Sequence, residues 1–309
     1  MTQISKGEEP PVPAALPHVG KTAGPDTGSG AGPGTGSGAG PGTGTGSGAG
    51  LGKGPGAGAP LPALPPRRVD AADAGPWAEL IAAAPAPAPG TAEAAAALGG
   101  TFDTLVYTGR GDARFAMEEK PPPGYVLVEF ARTGTGWFDL HSIDWNGREA
   151  VALGGADTPG RFEQRTMWCD NLYPLRFRVD CGEHDDWVIV VRPVSGARAL
   201  GAGATGRGTQ VLLHTGPAAE LAARFAPDKN GDLRVDGHRP RRPDAPAPSP
   251  DVLASAYRKP YEDARVLPEG PVLVAVVRGE GAWSLEVREP RPEPAPAPRG
   301  GFWSRLFGR

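Results

Sequence analysis

The sequence predicts an all-β protein: two tandem antiparallel β-sandwich modules, jelly-roll-like, behind a long disordered Gly/Pro-rich N-terminal region. Three observations predict it. First, from Thr101 the chain carries short runs rich in β-branched and aromatic residues, such as "TFDTLVY", "GYVLVEFA", "GWFDLHSI" and "LRFRVD". These read as strands, and turn residues separate them. Second, the text repeats. "GEHDDWVIVVRP" (182–193) returns as "GEGAWSLEVREP" (279–290), "TGRG" (108–111) returns at 205–208, and "FARTGTGWFDL" from Phe130 returns as "FAPDKNGDLRV" from Phe225. Three landmarks in one order, at offsets of about 95 to 97 residues, mark two copies of one β unit. Third, the 47 Gly and 37 Pro among 309 residues are concentrated outside this region.

Residues 1–76 are expected to be disordered, with a linker from Gly20 to Pro66. Gly, Ser and Thr keep such a segment flexible, and almost no side chain larger than Ala is present to offset the entropy of ordering. Its Gly-x-Gly runs lack the preceding strand and following helix of a dinucleotide site. Residues 77–100 read as short helical segments. "PWAELIAAA" starts at Pro76 and puts Trp77, Leu80 and Ile81 on one face, while "TAEAAAALGG" has a Thr91 cap and a Gly99 stop.

Residues 101–196 form the first module. Its "RTGTG" and "WNGRE" segments read as hairpin turns, and "DCGEHDD" as the turn before the Trp187 strand. Residues 204–290 form the second, with "AAELAAR" of helix-forming composition where the first copy has "GYVLVEF", and with a Pro-rich loop "HRPRRPDAPAPSPD". Alternation places Trp187, Ile189 and Val191 on one strand face, and Trp283, Leu285 and Val287 on another. Both indoles are therefore expected in the cores. Residues 291–309 are a Pro-rich spacer and tail. If 302–309 is helical, Phe302, Trp303, Leu306 and Phe307 fall on one side. They are the candidate partner-binding residues, with three outcomes open: folding back on the protein, docking in a partner's groove, or a weak membrane contact.

A net charge of −3 gives no basic footprint for nucleic acid. No apolar run of signal-peptide or membrane-span length occurs, so the cytoplasm is the expected location. Cys169 and Cys181 are expected as free, partly buried thiols, with a single disulfide as the alternative.

Two resemblances follow. The pattern from "GDARF" to "VVRP" resembles small sandwich modules of the pre-peptidase C-terminal type, which implies the sandwich fold. "ISKGEEPPVPAAL" (4–16), through Lys6, Gly7, Pro11, Val12 and Pro13, resembles the opening strand of TerD-type domains of tellurium-resistance and stress proteins. That resemblance implies kinship with such stress proteins. The acidic calcium loops of that family have no counterpart here.

Asp228, Asn230 and Asp232 have the first spacings of a calcium loop, but Leu233 stands where Gly is needed and Arg239 where Glu is needed, so the segment reads as a turn. Glu183, His184, Asp185 and Asp186 could bind metal or move protons, yet the second copy lacks the His and both Asp residues; they also read as a turn. His141 and His214 sit in strand-like segments without a nameable partner. No catalytic, cofactor or metal site is assigned, since the usual hydrolase, metalloprotease and nucleotide motifs are missing. The expectation is a non-enzymatic binding or scaffolding protein in a tellurium-resistance-like stress response. Two alternatives stay open: an enzyme with its site between the modules near the Pro-rich insertion, or an exported surface-binding module. A cleft holding a titratable group with a shifted pKa would favour the enzyme.

Overall fold

The computed structural model describes residues 64–83, 91–241 and 249–290, all within one unit spanning 58–309. The first part runs β1 (Leu64–Val69), α1 (Ala78–Ala82), α2 (Thr91–Ala96), β2 (Leu105–Arg110), β3 (Ala113–Ala116), β4 (Gly124–Arg132) and β5 (Phe138–Ile143). Then come β6 (Glu149–Gly155), β7 (Glu163–Cys169), β8 (Arg176–Cys181) and β9 (Asp186–Pro193). The second part runs β10 (Arg198–Ala199), β11 (Gly203–Arg207), β12 (Gln210–His214), β13 (Ala219–Pro227) and β14 (Asp232–His238). It ends with β15 (Asp251–Tyr257), β16 (Tyr261–Leu267), β17 (Val272–Gly279) and β18 (Gly281–Arg288).

Two sheets, β1-β2-β9-β4-β7 and β3-β8-β5-β6, face each other in the first module. In the second, β11-β18-β13-β16 faces β10-β12-β17-β14-β15. Without β1 and β10 the strand orders map one onto the other, so the textual repeat is a repeat of topology. Pairing is antiparallel throughout except between β10 and β12.

The repeated words acquire a physical meaning here. Trp187 and Trp283 fill equivalent positions in the two inter-sheet cores. Each indole Nε1 donates to a backbone carbonyl, Gly111 O and Gly208 O, both at 2.9 Å. A Cβ on Gly109 would lie 2.3 Å from Cζ2 of Trp187, and one on Gly206 2.5 Å from Cζ2 of Trp283. The "TGRG" word is thus a cradle: its first Gly admits the indole face, and its second, at φ of 70° or 71°, turns the carbonyl toward the indole N–H.

The modules stack head to tail. The outer face of the first module's five-stranded sheet lies on the outer face of the second's, joined by Tyr125, Leu127, Val211, Leu213, Leu273 and Ala275. Different faces of the repeat are therefore buried. On β4 the interface positions are Tyr125 and Leu127; the register of Phe130 on Phe225 puts Glu220 and Ala222 there on β13. On β17 they are Leu273 and Ala275, where β8 has Arg176 and Arg178. The two exposed end faces carry ion pairs instead, such as Arg178–Asp180 and Arg224–Glu262. Polar ends stop the stack from continuing.

Several expectations are corrected. The composition of residues 64–76 predicts disorder, but Leu64–Val69 forms the edge strand β1 on β2. Its two prolines are tolerated at an edge, where the missing N–H faces no partner. "AAELAAR" is strand β13, because Leu221, Ala223 and Phe225 alternate into the core between β16 and β18; packing overrides helix propensity. Trp77, in the turn that leads into α1, and Ile81 on α1 are buried on the first module's sheet, but Leu80 points to solvent. Cys169 and Cys181 are free and buried, and burial pushes the Cys181 thiol up to about 12. Residues 1–63 and 291–309 lie outside the described residues, so the expected disorder there, the TerD-like opening and the tail residues Phe302, Trp303, Leu306 and Phe307 do too.

Candidate functional site

A cleft of about 1390 Å³ opens where the two modules meet. From the first module come the 133–137 hairpin loop, β6, the 156–161 loop and the start of β7. From the second come Arg207–Thr209, the Asp228 turn, β14 and the β17–β18 turn. At its floor the edges of β7 and β12 are stitched by side chains. Glu163 Oε2 accepts from the Thr209 N–H (2.8 Å) and hydroxyl (2.6 Å), and Thr209 Oγ1 accepts from the Gln164 N–H at 2.9 Å. Gln164 Oε1 accepts from Val211 N–H at 3.0 Å. These bonds satisfy groups that an open sheet edge would leave unpaired.

The walls carry matched charges. Arg234 lies along buried Asp236, its Nε at 3.0 and 3.1 Å from the two carboxylate oxygens. Arg207 pairs with Asp228, Arg161 with Glu163 (3.8 Å) and Arg278 with Asp232 (3.5 Å). Arg132 fixes two loops at once. It donates to Ala156 O (2.7 Å), Asp157 O (3.3 Å) and Gly134 O, with Asp185 at 3.6 Å. Arg165 differs: among the described residues no carboxylate lies within 4.0 Å of it. It donates to Gln164 O at 3.0 Å and lies 5.9 Å from the Phe130 ring centre. Burial lowers its pKa to about 10, with the like charge of Arg278 adding to this and Glu163 and Asp157 opposing it. At the lip Trp137 is 58% exposed.

His238 backs the cleft. Its ring meets Tyr125 edge-on at 5.2 Å across the module boundary. Among the described residues neither ring nitrogen, nor Tyr125 Oη, has a hydrogen-bond partner, and all three atoms are shut from solvent. Burial lowers the His238 pKa, against a smaller opposing effect of Asp236 and Asp251, and pushes Tyr125 up to about 12. The unfolded chain takes up this proton near pH ~6.5 and the folded one only at lower pH. Stability is therefore fully present above about pH 6.5 and is lost as the pH falls toward the folded value. Chemical denaturation of the wild type and His238→Gln between neutral pH and pH ~5 checks this. The gap between them should change with pH, the wild type losing more on acidification; parallel curves would show that another group titrates.

The residues singled out in the sequence are dispersed. Of the "GEHDD" acids, Asp185 steadies Arg132 and Asp186 pairs with Arg110 at 2.7 Å; Glu183 and His184 are exposed. Asp228 and Asp232 neutralise cleft arginines, and no cluster of three or more metal-ligating side chains occurs among the described residues. Of the two histidines, His214 Nε2 lies 3.1 Å from Pro217 O, while His141 lies 3.6 Å from both Glu149 and Asp180 and its Nδ1 has no hydrogen-bond partner among the described residues. The cleft arginines went unnoticed. The available signal was "GYVLVEFA", apolar on both strand faces but for Glu129, which implies burial on both faces and hence a second body against the first.

Among the described residues, no helix is long and apolar enough to cross a membrane. No protein family and no curated protein matches the chain. Solved structures with partial likeness include the tandem CBM22-1-CBM22-2 domain of Paenibacillus barcinonensis Xyn10C. It shares 9% identity over 59% of this chain and 85% of that one, with a TM-score of 0.18. The conserved protein of unknown function PA5104 from Pseudomonas aeruginosa PAO1 shares 11% over 60% and 79%, also at a TM-score of 0.18. Likeness at that score carries no argument about fold or function.

Proposed function

We propose that this chain is a non-enzymatic binding protein that takes its ligand in the cleft between the modules. The observation that supports this is the cleft itself: about 1390 Å³, built from both repeats, with fixed donors and acceptors and an exposed tryptophan at the lip. Such a site offers orientation through planar guanidinium–carboxylate groups and contact area through the indole. Its charges are nearly balanced, so a polar ligand of low net charge fits better than a polyanion. Within this reading the stress-response setting rests on residues 4–16, and a second contact through Phe302, Trp303, Leu306 and Phe307 rests on sequence alone.

An enzyme is the second reading, favoured by the shifted pKa values of Arg165 and His238 at the cleft. It ranks lower because a general base needs a nitrogen that reaches the substrate, and both nitrogens of His238 are enclosed. The test is a thermal-shift screen of neutral, zwitterionic and anionic small molecules with the full chain, Trp137→Ala and Arg278→Glu. A ligand whose stabilisation falls about tenfold in potency in both variants is expected, and mass spectrometry should recover it unchanged. Ligands indifferent to both substitutions would remove the cleft from consideration; a converted ligand would make the protein an enzyme.

A further inference from the structure

One tip of the first module departs from the repeat in a way the fold does not require. The β5–β6 turn exposes Trp145 (62%), and the β7–β8 loop beside it exposes Leu172 (68%) and Tyr173 (51%). The two rings lie nearly parallel, 6.4 Å apart and 19° from coplanar orientation. In the second module the corresponding connections, 239–250 and 268–271, contain no aromatic residue and no Leu. The same scaffold thus forms without this cluster, and three large apolar groups in water are unfavourable unless something covers them.

Basic side chains donate to carbonyls of both loops. Arg176 donates to Trp145 O at 2.9 Å, Arg114 to Gly147 O at 3.0 Å, and Lys120 to Leu172 O at 3.2 Å. The two acids of the tip are engaged with their own loops: Asp144, half-buried, accepts from Arg148 N–H at 2.8 Å, and Asp170, exposed, accepts from Leu172 N–H at 2.9 Å. The nearby Glu119 and Glu149 pair with Arg68 and Arg178. Arg114, Lys120, Arg148 and Arg176 have no carboxylate within 4.0 Å among the described residues. The result is an exposed apolar tip flanked by four cations without an ion-pair partner among the described residues, against the two acids Asp144 and Asp170.

We propose that this tip docks on an anionic lipid surface, with Trp145, Leu172 and Tyr173 entering the headgroup layer. Charge complementarity selects the anionic surface. Neither of the two pockets among the described residues is lined by the tip, which argues against a peptide that needs a groove, and Leu172 adds nothing to base stacking but contributes to lipid burial. Neither this reading nor its test involves the cleft.

The experiment is sedimentation of the full chain with vesicles of phosphatidylcholine alone and with about 30% phosphatidylglycerol. Binding is expected only to the anionic vesicles and should weaken as salt is raised. The Trp145→Ser/Leu172→Ser double variant and Arg148→Glu should each lose about tenfold in partitioning, with thermal midpoints near the wild-type value because all three positions are exposed. Deleting 301–309 should leave the binding in place. Equal binding by the double variant, equal binding to both vesicle types, or loss only on tail deletion would overturn the proposal. So would capture of a single-stranded oligonucleotide or an acidic peptide by the tip in place of vesicles.

Discussion

Cutting Trp187 or Trp283 to Ala is expected to cost about 3–5 kcal/mol each, measured by denaturant unfolding of the full chain. Both indoles are almost fully enclosed, at 0% and 3% exposure. Trp187 also stacks on Phe115 at 6.0 Å, so its removal leaves a cavity that neighbours on two sheets cannot close together. The shared construction makes a sharper claim. Gly109→Ala should itself destabilise by roughly 1–3 kcal/mol, because its Cβ would fall against Cζ2 of Trp187. In the Gly109→Ala/Trp187→Phe background the two costs should not add, since the smaller ring vacates the space that the methyl needs. Gly206 and Trp283 should behave alike. A cost under ~1 kcal/mol for either Trp→Ala, or strict additivity in the paired variants, would mean that the repeated words mark something other than an indole cradle.

What could be read in the sequence was whatever repeats or alternates. The strand content, the buried tryptophans and the turns at 133–137, 144–148 and 228–231 follow from period-two patterning and turn chemistry, which are local. "AAELAAR" was misread because its helix propensity is local too, while the reason it is a strand lies in β16 and β18 on either side. Residues 64–69 were missed because an edge strand with two prolines has the composition of a linker until its partner is known.

The make-up of the cleft, beyond a site between the modules, was illegible for a different reason. The cleft exists only because the modules stack head to tail, and single residues report that indirectly. Arg176 and Arg178 on β8 against Leu273 and Ala275 on β17 are the clue: where two copies of a fold differ from charged to apolar at one register, one copy buries that face. Arg132, Arg165, Arg207, Arg234 and Arg278 are spread over five strands and loops, so no spacing in the chain connects them.

The second large effect is expected at the face of the first module's sheet. Glu129 is 5% exposed in the middle of β4. Its Oε2 accepts from Arg192 Nε and its Oε1 from Gln164 Nε2, both at 2.8 Å. Arg192 in turn donates to Ile81 O at 3.0 Å, tying α1 to the sheet. Glu129→Leu leaves the Arg192 guanidinium enclosed without its counter-charge, and Arg192→Leu does the same to Glu129. Each single variant should therefore lose about 3–5 kcal/mol, most of it the burial of the charge left behind. The double variant removes both charges and should be more stable than either single one, the signature of a coupled buried pair. The two arms also separate by location. Arg192→Leu and the double variant release Ile81 O, so hydrogen exchange around α1 should quicken in both, but less in Glu129→Leu, where Arg192 remains. A double variant no better than the worse single one would show that the pair is held mainly by packing, and uniform exchange around α1 across all three would remove Arg192 as its anchor.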